Sequence, residues 1–187
     1  LASAGIIGWY ELFGVQIAEA KADPFFGHSP YVINHLIAPL AVYQFWNSVY
    51  CIANKELRTF QNVTHHIMAF VLALCGFDSF LHYWAIYFFG ITEISSVPLT
   101  AMSILKLTNN RCSVMYKWSR IGFAASFLWY RFALWPYYYA ICIYQATQHY
   151  MSGALYSPYY YIFAVASTAL TVLQFIWGVK IIENIIR

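Results

Sequence analysis

Charged residues are what this 187-residue chain has least of: seven Asp/Glu and ten Lys/Arg make up 9% of it, against about 25% in ordinary soluble domains. So few ionisable groups cannot cover the exterior of a water-soluble globule of this length. A net charge of +3 spread along an apolar chain is not a phosphate-tracking surface, and the composition is neither that of a disordered tail nor that of a collagen-like fibre. Cysteine is scarce too. Cys51, Cys75 and Cys142 lie in apolar runs and Cys112 in a polar stretch, with no CxxC spacing, so neither a zinc site nor a disulfide framework is indicated. No internal repeat, low-complexity tract or long linker divides the chain. What is present is apolar and aromatic surface, 61% and 21% of the residues respectively. The solvent such a chain calls for is lipid, and the expected fold is an all-α, polytopic transmembrane helical bundle.

About 20 apolar residues cross the hydrocarbon of a bilayer. The clearest run is Pro158 to Val179, free of charge throughout. Ile121 to Tyr144 is as long but contains Arg131 and Pro136, so its guanidinium must be buried against protein or water. Tyr31 to Ala53 makes another span. Val63 to Leu105 is long enough for two crossings, with a reversal near Cys75-Gly76-Phe77-Asp78-Ser79, and Gly90 and Pro98 predict a kink or unwound stretch in the second of them. Ile6 to Ala20, which carries Glu11 and Glu19, completes about six spans, with an interfacial helix as the alternative. Because the chain opens on Leu1, an initiator Met, with or without a longer leader, is expected upstream. The link from Gln145 to Ser157 reads as a loop.

The positive-inside rule tests this arrangement, since successive connections alternate sides. Lys55, Arg58, Lys106, Arg111, Lys117, Arg120, Lys180 and Arg187 fall on one side, eight of the ten basic residues. The other side receives Lys21, and Arg131 is intramembrane. Both chain ends are therefore expected on the cytosol-like side, in an endomembrane, the mitochondrial inner membrane or a thylakoid. Tyr137-Tyr138-Tyr139 and Tyr159-Tyr160-Tyr161 fit interfacial aromatic belts.

Function is sought where polar groups are expensive. His65-His66 opens a span, and two adjacent imidazoles there suit proton transfer or a headgroup; adjacent helical residues diverge by about 100°, so the pair alone does not chelate a metal. Glu93, flanked by hydroxyls and Pro98 at mid-span, needs a partner or a proton. Its natural counter-ion is Arg131, and a buried pair locking two spans together is the simplest reading. Asp78 and His82, at i and i+4, are expected to hydrogen-bond if the helix begins that early. His28, His35 and His149 sit near span ends. No metal site and no cofactor is indicated.

The order Asp23-Pro24-Phe25-Phe26-Gly27-His28-Ser29-Pro30, Tyr43 with Asn47, His65-His66, Glu93-x-Ser95 with Pro98, Arg131 with Pro136, and Leu173-Gln174-Phe175-Ile176-Trp177 resembles the TLC domain family (TRAM, Lag1 and CLN8 homology). The likeness covers roughly Lys21 to Ile186 and is greatest to small members that consist of the TLC domain alone. It implies one domain over residues 1–187, a bundle of about six or more helices around a lipid-accessible cavity. His65 and His66 match the paired histidines that the ceramide synthase branch associates with acyl transfer from acyl-CoA, and Glu93, Ser95 and Pro98 match an ExSxP-like segment of the small members. Two departures are visible. Where the family often carries Asp, this chain has Asn47, which hydrogen-bonds but does not ionise. After His66, Ile67-Met68-Ala69-Phe70-Val71-Leu72 lacks the longer polar pattern of the synthases.

Three function classes follow. The favoured one is a protein that binds or handles a membrane lipid, with Asn47, Glu93, Ser95 and Arg131 as lipid contacts beside His65 and His66, in membrane lipid homeostasis. The second is a non-catalytic accessory subunit of a large respiratory or photosynthetic membrane complex, with other subunits as partners. The third is an acyltransferase of ceramide-synthase type with His65 or His66 as base or acyl carrier.

Overall fold

The computed structural model describes residues 2–3, 6–7, 23, 25–78, 80–153, 155 and 157–186. The Ile6–Ala20 span lies outside them except for Ile6 and Ile7. The described residues form five continuous helical rods and no strand. We call them α1 (Pro30–Ala53), α2 (Phe60–Gly76), α3 (His82–Leu107), α4 (114–151) and α5 (Ser157–Ile186). By length and composition α1, α3 and α5 are each able to cross a membrane. α2 is shorter and opens on polar residues, and α4 carries Arg131 amid Tyr and Trp, so neither stands out as a span by itself. Exposed large apolar side chains such as Trp46, Leu107, Trp118 and Val165 lie along all parts of the bundle, as expected of a molecule whose solvent is hydrocarbon. The chain is thus an all-α integral membrane protein.

Three rods depart from α geometry, each just before a proline. Pro lacks an N–H and its ring crowds the carbonyl four residues earlier. Those carbonyls belong to His35, Ile94 and Phe132, and all three fall in irregular turns: π-helical at Ile33–Ile37, 3-10 at Ile91–Ser95 and π-helical at Leu128–Leu134. A further π segment, Ile86–Gly90, ends at Gly90, so the unwinding of the third span expected from Gly90 and Pro98 is present. Ser29, Thr59 and Ser113 cap α1, α2 and α4 by accepting from backbone N–H groups three residues on.

α2 ends at Gly76, within the stretch where the sequence places the reversal, but α3 starts only at His82, after Leu81 in a left-handed conformation, φ 65°. That late start overturns the Asp78–His82 hydrogen bond. His82 is fully buried; its Nδ1 accepts from the Ser29 N–H at 2.9 Å and its Nε2 donates to the Gly76 carbonyl at 2.7 Å. Asp78 accepts from the Tyr159 hydroxyl instead. The expected 145–157 loop is also shorter, because helix continues to Met151. Where α5 crosses α4, Gly178 leaves room for the Phe132 ring, which an added Cβ would strike.

Two of the irregular turns complete each other. The Tyr87 hydroxyl of α3 donates to the Tyr130 carbonyl in the π turn of α4 at 2.7 Å, and Arg131 of α4 returns a hydrogen bond to the Thr92 carbonyl in the 3-10 turn of α3 at 3.1 Å. Main-chain oxygens of the irregular turns thereby find side-chain donors in the interior, where water does not reach them.

Candidate functional site

The 3-10 turn of α3 and Ser96 just after it place Thr92, Glu93, Ser95 and Ser96 against Arg131 of α4. Arg131 is 7% exposed, and its buried guanidinium therefore needs every available acceptor. Its Nη2 donates to Glu93 Oε1 at 2.9 Å and to Ser96 Oγ at 3.3 Å, and its Nε donates to Ser95 Oγ at 2.7 Å and to the Thr92 carbonyl. The ion pair expected from the sequence is thus present, but as the centre of a network. Ser95, one turn after Thr92, also donates to that carbonyl at 2.9 Å, so both Ser95 and Thr92 hold the guanidinium in place.

The paired histidines stand on α2 and diverge as helical neighbours must, their ring centroids 5.1 Å apart at 72°. His66 turns to α1, where its Nδ1 donates to Gln44 Oε1 at 2.6 Å. His65 turns to α5 and meets the Trp177 ring edge-on at 5.2 Å; its Nδ1 is buried with no hydrogen-bond partner.

A cavity of about 400 Å³ joins these groups. Its polar wall holds Tyr43, Gln44, His65, His66, Glu93, Ser95, Ser96 and Arg131; Leu99, Phe123, Phe127, Trp177 and Ile181 supply apolar wall; Asn62, Lys180 and Asn184 stand toward the basic end. All five rods contribute. Of the residues singled out in the sequence, His65, His66, Glu93, Ser95 and Arg131 line this one space. Asn47 does not: it lies one turn beyond Gln44 on α1, with its amide nitrogen buried and unpartnered. Asp78, His82 and His149 lie at the opposite end of the bundle. Sequence reasoning missed Gln44, a buried amide whose one signal was its position beside Tyr43 in an apolar run, and Ser96, hidden within the Glu93–Pro98 segment. Among the described residues no three His, Cys, Asp or Glu side chains converge to hold a metal ion.

A buried Arg held by four acceptors, beside two imidazoles and under an apolar roof, can bind a polar or anionic group and hold an apolar chain next to it. Apolar rods packed around such a cavity define an integral membrane bundle with a polar interior. The chain belongs to the TLC domain family (TRAM, LAG1 and CLN8), whose model matches residues 2–183. No curated protein and no solved structure matches it.

Proposed function

We propose that this protein binds a membrane lipid within the cavity, as one TLC domain, with the polar part of the lipid at Arg131, Glu93, Ser95 and the two histidines and an apolar chain along Leu99, Phe127 and Trp177. The observation that carries this reading is the Arg131 network in a cavity wall. A buried ion pair is often no better for stability than well-packed apolar residues, and here it sits beside empty volume where such packing is lacking. A ligand accounts for both. Asn47, which does not line the cavity, is left out of this lipid contact set. The basic end is the cytosol-like face, and the role is in the handling of membrane lipid.

The test is purification in mild detergent followed by mass spectrometry of what stays bound. One lipid species is expected to be retained by the natural chain and lost from Leu99→Trp, which fills the cavity beside Ser95. The same lipid at the same level in both proteins would sink the reading. Stoichiometric protein partners in place of lipid would favour the accessory-subunit role.

One feature favours acyl transfer as a second reading. His65 Nδ1 is buried and unpartnered, so it is free to take a proton from an attacking nucleophile. Turnover of a labelled acyl-CoA by the natural chain, abolished in His65→Ala, would support it; no turnover, or turnover equal in the two, removes it.

A further inference from the structure

Beside the polar cavity, toward the basic end of the bundle, lies another hollow. This second, wider hollow of about 660 Å³ shares Phe123, Ile181 and Asn184 with the first and is lined beyond them by Lys117 and Arg120 of α4. Lys117 and Arg120 stand at i and i+3, so one face of α4 presents both charges to α5. Neither has an acidic partner: the ion pair between Arg131 and Glu93 is the one found among the described residues, and Glu183, on the same stretch of α5, lines neither hollow. Lys180, on the wall of the deeper cavity, donates to the neutral Gln61 at 3.2 Å.

Basic residues are common on this side of any membrane protein, so their number alone says nothing. Their placement does. Lys55 and Arg58, in the α1–α2 link of the same face, line neither of these hollows, whereas Lys117 and Arg120 line the one that shares Phe123, Ile181 and Asn184 with the site. From the mouth inward, a ligand meets two unpaired cations, then the apolar Phe123 and Ile181, then the hydrogen-bonding groups around Arg131.

Building on the lipid-binding reading above, we infer that Lys117 and Arg120 form a mouth subsite for a phosphate group, so that the ligand class is a lipid with a phosphorylated headgroup. A phosphate with more than one negative charge suits two cations that have no counter-ion. The lipid is the committed source; a free phosphate is the competing one.

The experiment offers the detergent-purified full chain an equal mixture of phosphatidic acid and diacylglycerol with identical acyl chains and reads bound lipid by native mass spectrometry. The natural chain is expected to prefer phosphatidic acid by about tenfold or more, since each surface cation contributes on the order of 1 kcal/mol toward an anionic lipid. The pair Lys117→Gln with Arg120→Gln is expected to lose that preference to within about twofold while binding diacylglycerol as before. Lys55→Gln with Arg58→Gln, an equal change of charge on the same face, is expected to keep it. Equal loss in both double variants, or an unchanged preference in the first, overturns the inference and leaves the cavity reading standing. Failure of the natural chain to bind either lipid overturns both. Excess inorganic phosphate that fails to displace phosphatidic acid supports the lipid as ligand; displacement assigns the subsite to a soluble phosphate and overturns the proposal.

Discussion

At Arg131 a single side chain meets four acceptors drawn from one short turn of α3, and the cost of altering it follows from that arrangement. Arg131→Met strands Glu93 in the interior, and Glu93→Gln leaves the guanidinium with neutral acceptors only. Each is expected to lower stability by about 3–5 kcal/mol or less according to how far the cavity admits water. The double variant is expected to be less destabilised than the sum of the two by about 1–3 kcal/mol. Denaturant or thermal unfolding in detergent checks this, and strict additivity would show that the pair is not coupled. His82 makes a separate case. His82→Ala leaves the Ser29 N–H and the Gly76 carbonyl buried without partners, and a loss of about 2–5 kcal/mol is expected, with no change in lipid selectivity because the residue lies far from the cavity. The ion pair was legible in the sequence because a mid-span carboxylate and a mid-span guanidinium have few other options. Gln44 was not, because an uncharged amide in an apolar run gives no signal until its partner is placed.

The irregular turns govern the elements. Of the irregular turns before Pro39, Pro98 and Pro136, the one near Gly90 and Pro98 was expected from the sequence. What spacing could not say is that a break widens or tightens a helix without ending it, and that carbonyls within the irregular turns, those of Thr92 and Tyr130, accept from side chains on the neighbouring rod. Leu81 is the counterpart: a left-handed leucine has no signature in the sequence, so the condition for an Asp78–His82 bond, a helix that begins that early, is not met and Asp78 pairs with Tyr159. The Pro98 turn yields a prediction. Pro98→Ala restores an N–H for the Ile94 carbonyl and favours α geometry across Ile91–Ser95. Unfolding is expected to show equal or higher stability, while the amount of bound lipid falls because Thr92 and Ser95 are drawn away from Arg131. Unchanged lipid retention would show that the 3-10 turn is incidental to the site.

For the whole molecule, charge placement was the most legible property. Of the eight described basic residues, seven lie toward one end of the bundle and the eighth is Arg131, as the positive-inside rule required. The cysteines provide a check: Cys112 is exposed at the basic end, Cys75 is half-buried toward the other, and Cys51 and Cys142 are buried. A membrane-impermeant maleimide is expected to label Cys112 in sealed vesicles whose basic face points outward and to spare it in vesicles of the opposite orientation. Labelling in both would reverse or scramble the topology. The cavity itself was expected only as a consequence of the family likeness, because its shape depends on how five rods cross. One such crossing sets its calibre. Gly178 lets α5 lie against Phe132 of α4, and the next residues along α5, Trp177 before it and Ile181 one turn after, are cavity wall. A single methyl at 178 would act as a wedge driven in from behind, pushing the two rods apart and enlarging the hollow on their other side. The calibre of the hollow is therefore gauged by main-chain spacing at a contact behind its wall.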